Sequence, residues 1–318
     1  MIITVTLNAA IDKTLSVPNF RLGRRHRTVE QTTMAGGKGV NIARALKSLD
    51  QPVIATGFAG GPTGTRIVEQ LTDESILNDF VRIREESRTN TAVLDPTTGE
   101  QTEINERGPE VGPRELELFL GKLVYLARGA EIVVFAGSLP RGVETDYYAT
   151  LVREVRKLGI TTIVDTDGEP LRLATRAEPT VISPNVNEAE ELVGHEFNDE
   201  EDSIFAIREL GRLGPRESIM TTADGCYACL QTESGPQLMR AKIEPREPVA
   251  TVGSGDAFLA GYIAARYGGQ SPEECLRFAV ACGAESTQRL GAGLIDPREV
   301  DRLVPEVDVA RLVETPAG

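Results

Sequence analysis

Between Thr251 and Gly261 the chain reads TVGSGDAFLAG. Gly253, Ser254 and Gly255 offer three successive backbone N–H groups, two of them on residues without a Cβ, ahead of an apolar, small-residue run with helical character. A glycine-rich turn entering a helix suits an anion, because unpaired N–H groups and the positive end of the helix dipole point the same way. Asp256 would be out of place in a pure anion site. It fits one where a carboxylate beside a phosphate takes the proton of an attacking hydroxyl. The chemistry would be phosphoryl transfer, with Asp256 as base and the three N–H groups as anion hole. From these residues alone, an ordinary helix start with an acid in its first turn reads equally well.

A second glycine cluster, Ala35-Gly36-Gly37-Lys38-Gly39-Val40-Asn41, runs into an apolar-faced helix. It is not a Walker A loop, since GxxxxGK[ST] is absent. Its glycines permit close approach of a ligand, Lys38 carries a positive charge, and Asn41 both donates and accepts. A flexible loop followed by a helix cap is the competing account. Asp12 leaves the first strand at its carboxyl end, where open α/β sheets collect ligands, and has the chemistry to bind a pair of hydroxyls. Arg88 has the planar fork that grips a phosphate, although an isolated arginine is commonly a solvated charge. Asn185 and Glu188 open a helix after a strand. That pair either orients a hydrated Mg²⁺, which needs few protein ligands, or simply caps the helix.

These residues need a scaffold. Apolar strands at 2–7, 53–57, 132–136, 161–165, 181–183 and 218–221 alternate with helical stretches, which implies a mostly parallel sheet covered on both faces. The stretch Gly60–Gly64 reads as a loop. A turn at 223–225 leads to a hairpin, and two helices span 257–266 and 272–289. Segments 13–31 and 88–105 read instead as a small β-sheet standing off the main body as a lid. The core would then be 1–12, 32–87 and 106–318. A lid with an uncovered apolar face hints at a homodimer formed through it.

The 318-residue chain has a net charge of −14, which argues against nucleic acid or an anionic membrane surface as partner. Only six of its 34 basic residues are lysines, so Lys38 among glycines stands out. No leader-like or membrane-spanning run is present, and a cytoplasmic location is the expectation. Cys226 and Cys229 form a CxxC, but in a strand they point to opposite faces. Cys275 and Cys282 read as small core residues on a helix.

Taken together, AGGKGVNIARAL, TVGSGDAFLAG, TLNAAID, ESRTN, INERGP, AGSLPRG and SPNVNEAE resemble, in order and spacing, the signatures of the ribokinase-like carbohydrate kinases, and within them the phosphofructokinase B group. The combination is most similar to fructose-1-phosphate kinases and tagatose-6-phosphate kinases. The resemblance implies a three-layer α/β/α sandwich with a mostly parallel central sheet and a β-sheet lid, ATP as phosphoryl donor, and Mg²⁺. Carried over, Asp256 is the base and the N–H groups of Gly253, Ser254 and Gly255 the anion hole. Asp12, Gly36, Gly37, Lys38 and Asn41 form the sugar-phosphate site with Arg88, joined by Arg27 and Ser138. Asn185 and Glu188 serve the metal and nucleotide, and Thr221 to Gly225 form the nucleotide loop. Two departures stand: Ala250 where many members carry an acid, and MTTADG where Ser/Thr-x-Gly is common. A neutral-sugar or nucleoside kinase, a 6-phosphofructokinase, a dinucleotide-binding oxidoreductase and a non-catalytic sugar-phosphate sensor are the alternatives.

Overall fold

In the computed structural model, residues 1–312 are described, so the last six of the span 106–318 assigned to the core lie outside them. The chain opens with β1 (Ile2–Thr6), leaves the main sheet for β2 (Ala10–Ser16) and β3 (Glu30–Gly36), and returns through α1 (Lys38–Ser48) to β4 (Val53–Gly60). After α2 (Gly61–Asp73), β5 (Leu77–Asn78) and β6 (Val81–Ile83), it goes out again for β7 (Arg88–Leu94) and β8 (Gln101–Asn105). Helices and strands then alternate: α3 (Pro113–Ala127), β9 (Ile132–Ala136), α4 (Tyr147–Arg156), β10 (Thr161–Asp165), α5 (Gly168–Thr175) and β11 (Val181–Ile182). Next come α6 (Val186–Val193), α7 (Glu200–Arg212), β12 (Glu217–Thr222) and the hairpin β13 (Gly225–Thr232) and β14 (Gly235–Lys242). The described chain ends with α8 (Ser254–Tyr267), α9 (Pro272–Ser286), α10 (Pro297–Leu303) and β15 (Asp308–Arg311).

Among the described residues the large sheet has eleven strands in the order β15-β14-β13-β12-β11-β10-β9-β1-β4-β5, with β6 also on β4. From β12 to β5 the pairings are parallel, and β13, β14 and β15 add an antiparallel edge. Each central strand feeds both faces in alternation. Ile132 and Val134 join the core under α1, α8 and α9, whereas Val133 and Phe135 join the core under α3 and α4. A strand buried on both sides must be apolar throughout, which is why these runs show no polar alternation. The chain adds β4 on one side of β1 and β9 on the other. Strand order therefore reverses at β1, and a crevice opens at the carboxyl ends there.

The separate small sheet has the order β3-β2-β7-β8. It reaches further into the chain than 13–31, since Ala10 and Ile11 pair antiparallel with Gly36 and Ala35. Asp12, expected just beyond the first strand, accordingly lies on a strand of the small sheet, because only three residues separate β1 from β2. The stretch Gly60–Gly64 is likewise no loop. Gly60 ends β4 and α2 begins at once, with Pro62 at its entry. No helix among the described residues is long and apolar enough to cross a membrane.

Candidate active site

At the start of α8, Gly253 takes φ +85°, and a Cβ there would lie 2.6 Å from the Ala292 Cβ. Only glycine fits that left-handed, crowded position. The turn it closes aims the Ser254 N–H back at the Thr251 carbonyl, 3.3 Å away. The N–H groups of Gly253, Gly255 and Asp256 have no acceptor among the described residues. Of the three N–H groups expected as an anion hole, that of Ser254 is engaged within the turn, whereas that of Asp256 is unpaired among the described residues.

The Asp256 side chain is buried, and its Oδ2 accepts a hydrogen bond from Asn41 Nδ2 at 2.8 Å. Its Oδ1 has no hydrogen-bond partner among the described residues. Burial, reinforced by the charge of Asp165, pushes the carboxyl up to about 7 against the opposing pull of Lys38 and Asn41. A carboxyl poised near neutrality can hold or take up a proton at working pH. The Asn41 amide, expected at the sugar phosphate, is engaged by this carboxylate.

Lys38 begins α1, and its Nζ lies 2.7 Å from Asp165 Oδ1 at the end of β10. Burial alone would lower its proton affinity, but Asp165, Glu188 and Asp256 overcome this and keep it firmly charged. Gly37 before it sits at φ +101° against Thr6, and lines the cleft. Gly36 does not line it. A Cβ at Gly36 would fall 1.9 Å from Asp12 Oδ2, so this glycine makes room for the aspartate. Asp12 Oδ1 accepts from Asn90 Nδ2 at 2.8 Å, and burial raises its carboxyl despite Asn90 and the Arg88 charge.

Arg88 also lines the cleft, steadied by donation from Nε to the Asn8 carbonyl at 3.1 Å and from Nη1 to the Glu106 carbonyl at 3.0 Å. The Ser138 hydroxyl accepts from Asn8 Nδ2 at 3.2 Å. Arg27 is not brought there. It is exposed in the segment linking β2 to β3, away from the cleft walls.

Asn185 and Glu188 cap α6 reciprocally. Glu188 N donates to Asn185 Oδ1 at 3.0 Å, and Asn185 N donates to Glu188 Oε2 at 2.9 Å. This is the capping box, the plainer of the two sequence readings. Both residues nonetheless line the cleft, and Glu188 keeps Oε1 free of protein partners among the described residues. Burial raises the Glu188 carboxyl, Lys38 lowers it, and Asp165 and Asp167 raise it further. A divalent cation would relieve that mutual repulsion. The described residues hold no cluster of three or more metal-ligating side chains.

Thr221 lines the cleft at the end of β12, with Thr222 and Ala223 beside it. Gly225 does not. A Cβ there would sit 2.0 Å from the Ala241 carbonyl, so the hairpin and not a nucleotide demands this glycine. Thr222 donates its hydroxyl to Asp224 Oδ1 at 2.8 Å, holding the loop from within. Cys226 and Cys229 fall into opposite cores, and burial pushes both thiols up. That placement suits structural cysteines.

The walls enclose about 820 Å³ between the sheet edge and the lid. Asp165, Asn8, Asn90 and Arg44 also line this site, beyond the residues the sequence pattern singles out. Asp165 alone had a usable signal, an acid at the carboxyl end of an apolar strand.

Comparison with known proteins agrees with the geometry. The chain matches the pfkB family of carbohydrate kinases over residues 5–298. A tagatose-6-phosphate kinase of Staphylococcus epidermidis is 33% identical over 313 residues, covering 97% of this chain and 99% of that protein. A 1-phosphofructokinase of Borreliella burgdorferi is 30% identical over 309 residues, covering 97% and 98%. Escherichia coli phosphofructokinase-2, solved in complex with substrates and products, superposes with a TM-score of 0.89 at 27% identity, covering 96% of this chain and 98% of that one. With Asp256 buried at a glycine-rich helix start and the family match spanning nearly the whole fold, the chain belongs to the pfkB family of carbohydrate kinases.

Proposed function

We propose that the protein transfers the γ-phosphoryl group of ATP to a ketohexose phosphate, with fructose 1-phosphate as substrate and fructose 1,6-bisphosphate as product. One observation carries this reading: a buried carboxyl poised near neutrality stands at the helix start beside three free N–H groups, within the field of Lys38. In the reaction, Asp256 Oδ1 takes the proton of the sugar hydroxyl as that oxygen attacks phosphorus in line. The N–H groups of Gly253, Gly255 and Asp256 hold charge developing on the phosphate oxygens, with Lys38 contributing its positive charge. Asp12 and Arg88 orient the sugar phosphate. Arg88 has three N–H groups left after its two backbone bonds. Mg²⁺, held through Glu188 and Asn185 and largely by water, would shield the phosphates from one another. The lid over the cleft keeps water from competing with the sugar hydroxyl.

Lys38 and Arg88 are positive groups at the cleft of an acidic protein, which supports a phosphorylated acceptor over a neutral sugar or nucleoside. The names of two relatives support fructose 1-phosphate and tagatose 6-phosphate as acceptors, and fructose 6-phosphate stands beside them as an alternative, since Escherichia coli phosphofructokinase-2 is solved with it. Tagatose 6-phosphate is the second reading, favoured by the 33% identity of the Staphylococcus protein. An ADP-release assay over fructose 1-phosphate, fructose 6-phosphate, tagatose 6-phosphate, free fructose and nucleosides decides between them. The expectation is the highest kcat/KM on fructose 1-phosphate, and turnover of free sugars or nucleosides alone would sink the proposal. We also propose that the protein forms a homodimer through the lid, whose edge strand β8 is exposed along its whole length.

A further inference from the structure

Arg44 lies one turn beyond Asn41 in α1 and is only 4% exposed. A guanidinium carries five N–H donors, and each needs an acceptor once water is excluded. Nε and Nη2 fork onto Glu74, 2.6 Å from Oε2 and 3.0 Å from Oε1. Nη2 also donates to the Ala35 carbonyl at 2.7 Å. Nη1 donates to the Ala292 carbonyl at 3.2 Å and to Asn41 Oδ1 at 3.3 Å. Five donors therefore meet five acceptors, drawn from four parts of the fold. Glu74 closes α2, Ala35 belongs to lid strand β3, and Asn41 is on α1. Ala292 crowds Gly253 at the anion turn.

The bond to Asn41 has chemical consequences. An amide presents an acceptor on one side and donors on the other. With Oδ1 on the Arg44 cation, Nδ2 must face Asp256, where it donates at 2.8 Å. The reversed amide would aim its oxygen at a carboxylate and its NH₂ at a guanidinium, losing both bonds. We propose that Arg44 is a positioning residue of the phosphoryl transfer: through Asn41 it holds Asp256 Oδ2, leaving Oδ1 for the acceptor hydroxyl, and through Ala292 it steadies the anion turn. This rests on Asp256 being the base. Burying a charge is costly, and a hydrophobic residue fills such a place more cheaply. A fully matched arginine linking lid, turn and base is better explained by geometry it imposes than by stability.

Arg44→Lys keeps the charge but cannot reproduce the fork. The expected result is a folded protein with KM for both substrates near the parent value and kcat lower by about 10- to 100-fold. In an Asn41→Ala background the same change should cost clearly less than in the parent, because the path through Asn41 is already cut and only the one through Ala292 remains. An equal loss in both backgrounds overturns the proposal, as does parental kcat in folded Arg44→Lys. Should Arg44→Lys not fold, Glu74→Gln weakens the fork while leaving Arg44 in place. It should lower kcat with KM unchanged, and parental kcat there is equally fatal. Failure of the underlying reading shows separately: near-parental turnover of Asp256→Asn removes the base and this proposal with it. Additive behaviour at 41 and 44 in an enzyme that Asp256→Asn inactivates removes only the role of Arg44.

Discussion

Asp256 concentrates the conflict between stability and chemistry in one side chain. Its carboxyl is pushed up to about 7 by burial and by Asp165, whereas in the unfolded chain it returns to about 3.9. The folded state therefore binds the proton more tightly. The stability gained from this is complete below the unfolded value and is lost as pH rises through about 7. At pH 8 the apo protein carries the full penalty of a buried charge. Asp256→Asn, which cannot ionise, should then melt above the parent at pH 8, with the difference shrinking toward pH 5. The same variant should lose several orders of magnitude in kcat with substrate binding nearly intact. In the parent, kcat/KM should rise with pH through about 7, since it reports the free enzyme's carboxyl and only the ionised carboxylate accepts a proton. A kcat/KM flat from pH 5 to 8, or a variant that melts lower at pH 8, would contradict the assignment. Asp256 and Lys38 were legible because each sits in a local string of glycines. Asp165, the carboxylate paired with Lys38, shows in the sequence only as an acid at the end of an apolar strand, and the separation of 127 residues hides the pairing itself.

At the scale of elements, the strand and helix starts that bear the site were readable wherever a single local cause produces them. Helix α3 spans Pro113–Ala127 and strand β9 spans Ile132–Ala136, the limits their apolar pattern and flanking proline imply. Helices α5 and α7 went unread, because polar residues fill their outer faces and short runs of Leu, Ile and Ala mark the inner ones. A glycine in the sequence does not by itself say whether a ligand or the fold requires it: Gly37, Gly253 and Gly255 line the cleft, but Gly36 and Gly225 do not. Gly36 and Gly225 are demanded by Asp12 and by the Ala241 carbonyl, contacts that no spacing reveals. Asn185 can be tested as an element-scale feature, because its capping bonds are observed while its service to a metal–nucleotide is proposed. Asn185→Ala should cost about 1 kcal/mol of stability, and Asn185→Ser should recover most of it, since serine caps nearly as well. If Asn185 also orients the metal–nucleotide, Asn185→Ser stays raised in KM for Mg·ATP while its melting temperature returns. Joint recovery of both quantities would leave Asn185 a cap alone.

The whole molecule poses a problem of charge and of uncovered surface. A net charge of −14 repels a sugar bisphosphate and ATP at long range, so affinity must come from short-range positive groups in the cleft. Lys38 and Arg88 face that cleft, and strands β2 and β7 of the small sheet form part of its wall. The lid itself is poorly covered. Every residue of β8 is exposed, Ile104 among them at 63%, and the segment between β2 and β3 shows Leu22 at 90% and Val29 at 69%. An exposed edge strand with free backbone groups invites pairing with another chain, and exposed apolar residues beside it add a hydrophobic reason to associate. Light scattering on the eluted protein should therefore give twice the 34.3 kDa chain mass. Ile104→Asp together with Leu22→Asp should yield monomers with an unchanged melting profile for the core, because neither side chain is buried in the monomer. The loss in kcat/KM on separation should fall on the sugar phosphate more than on ATP, since Asp12 and Arg88 lie on β2 and β7 of that small sheet. A parent that elutes as a monomer, or a double variant that stays dimeric, would place the association elsewhere and leave the lid to act alone.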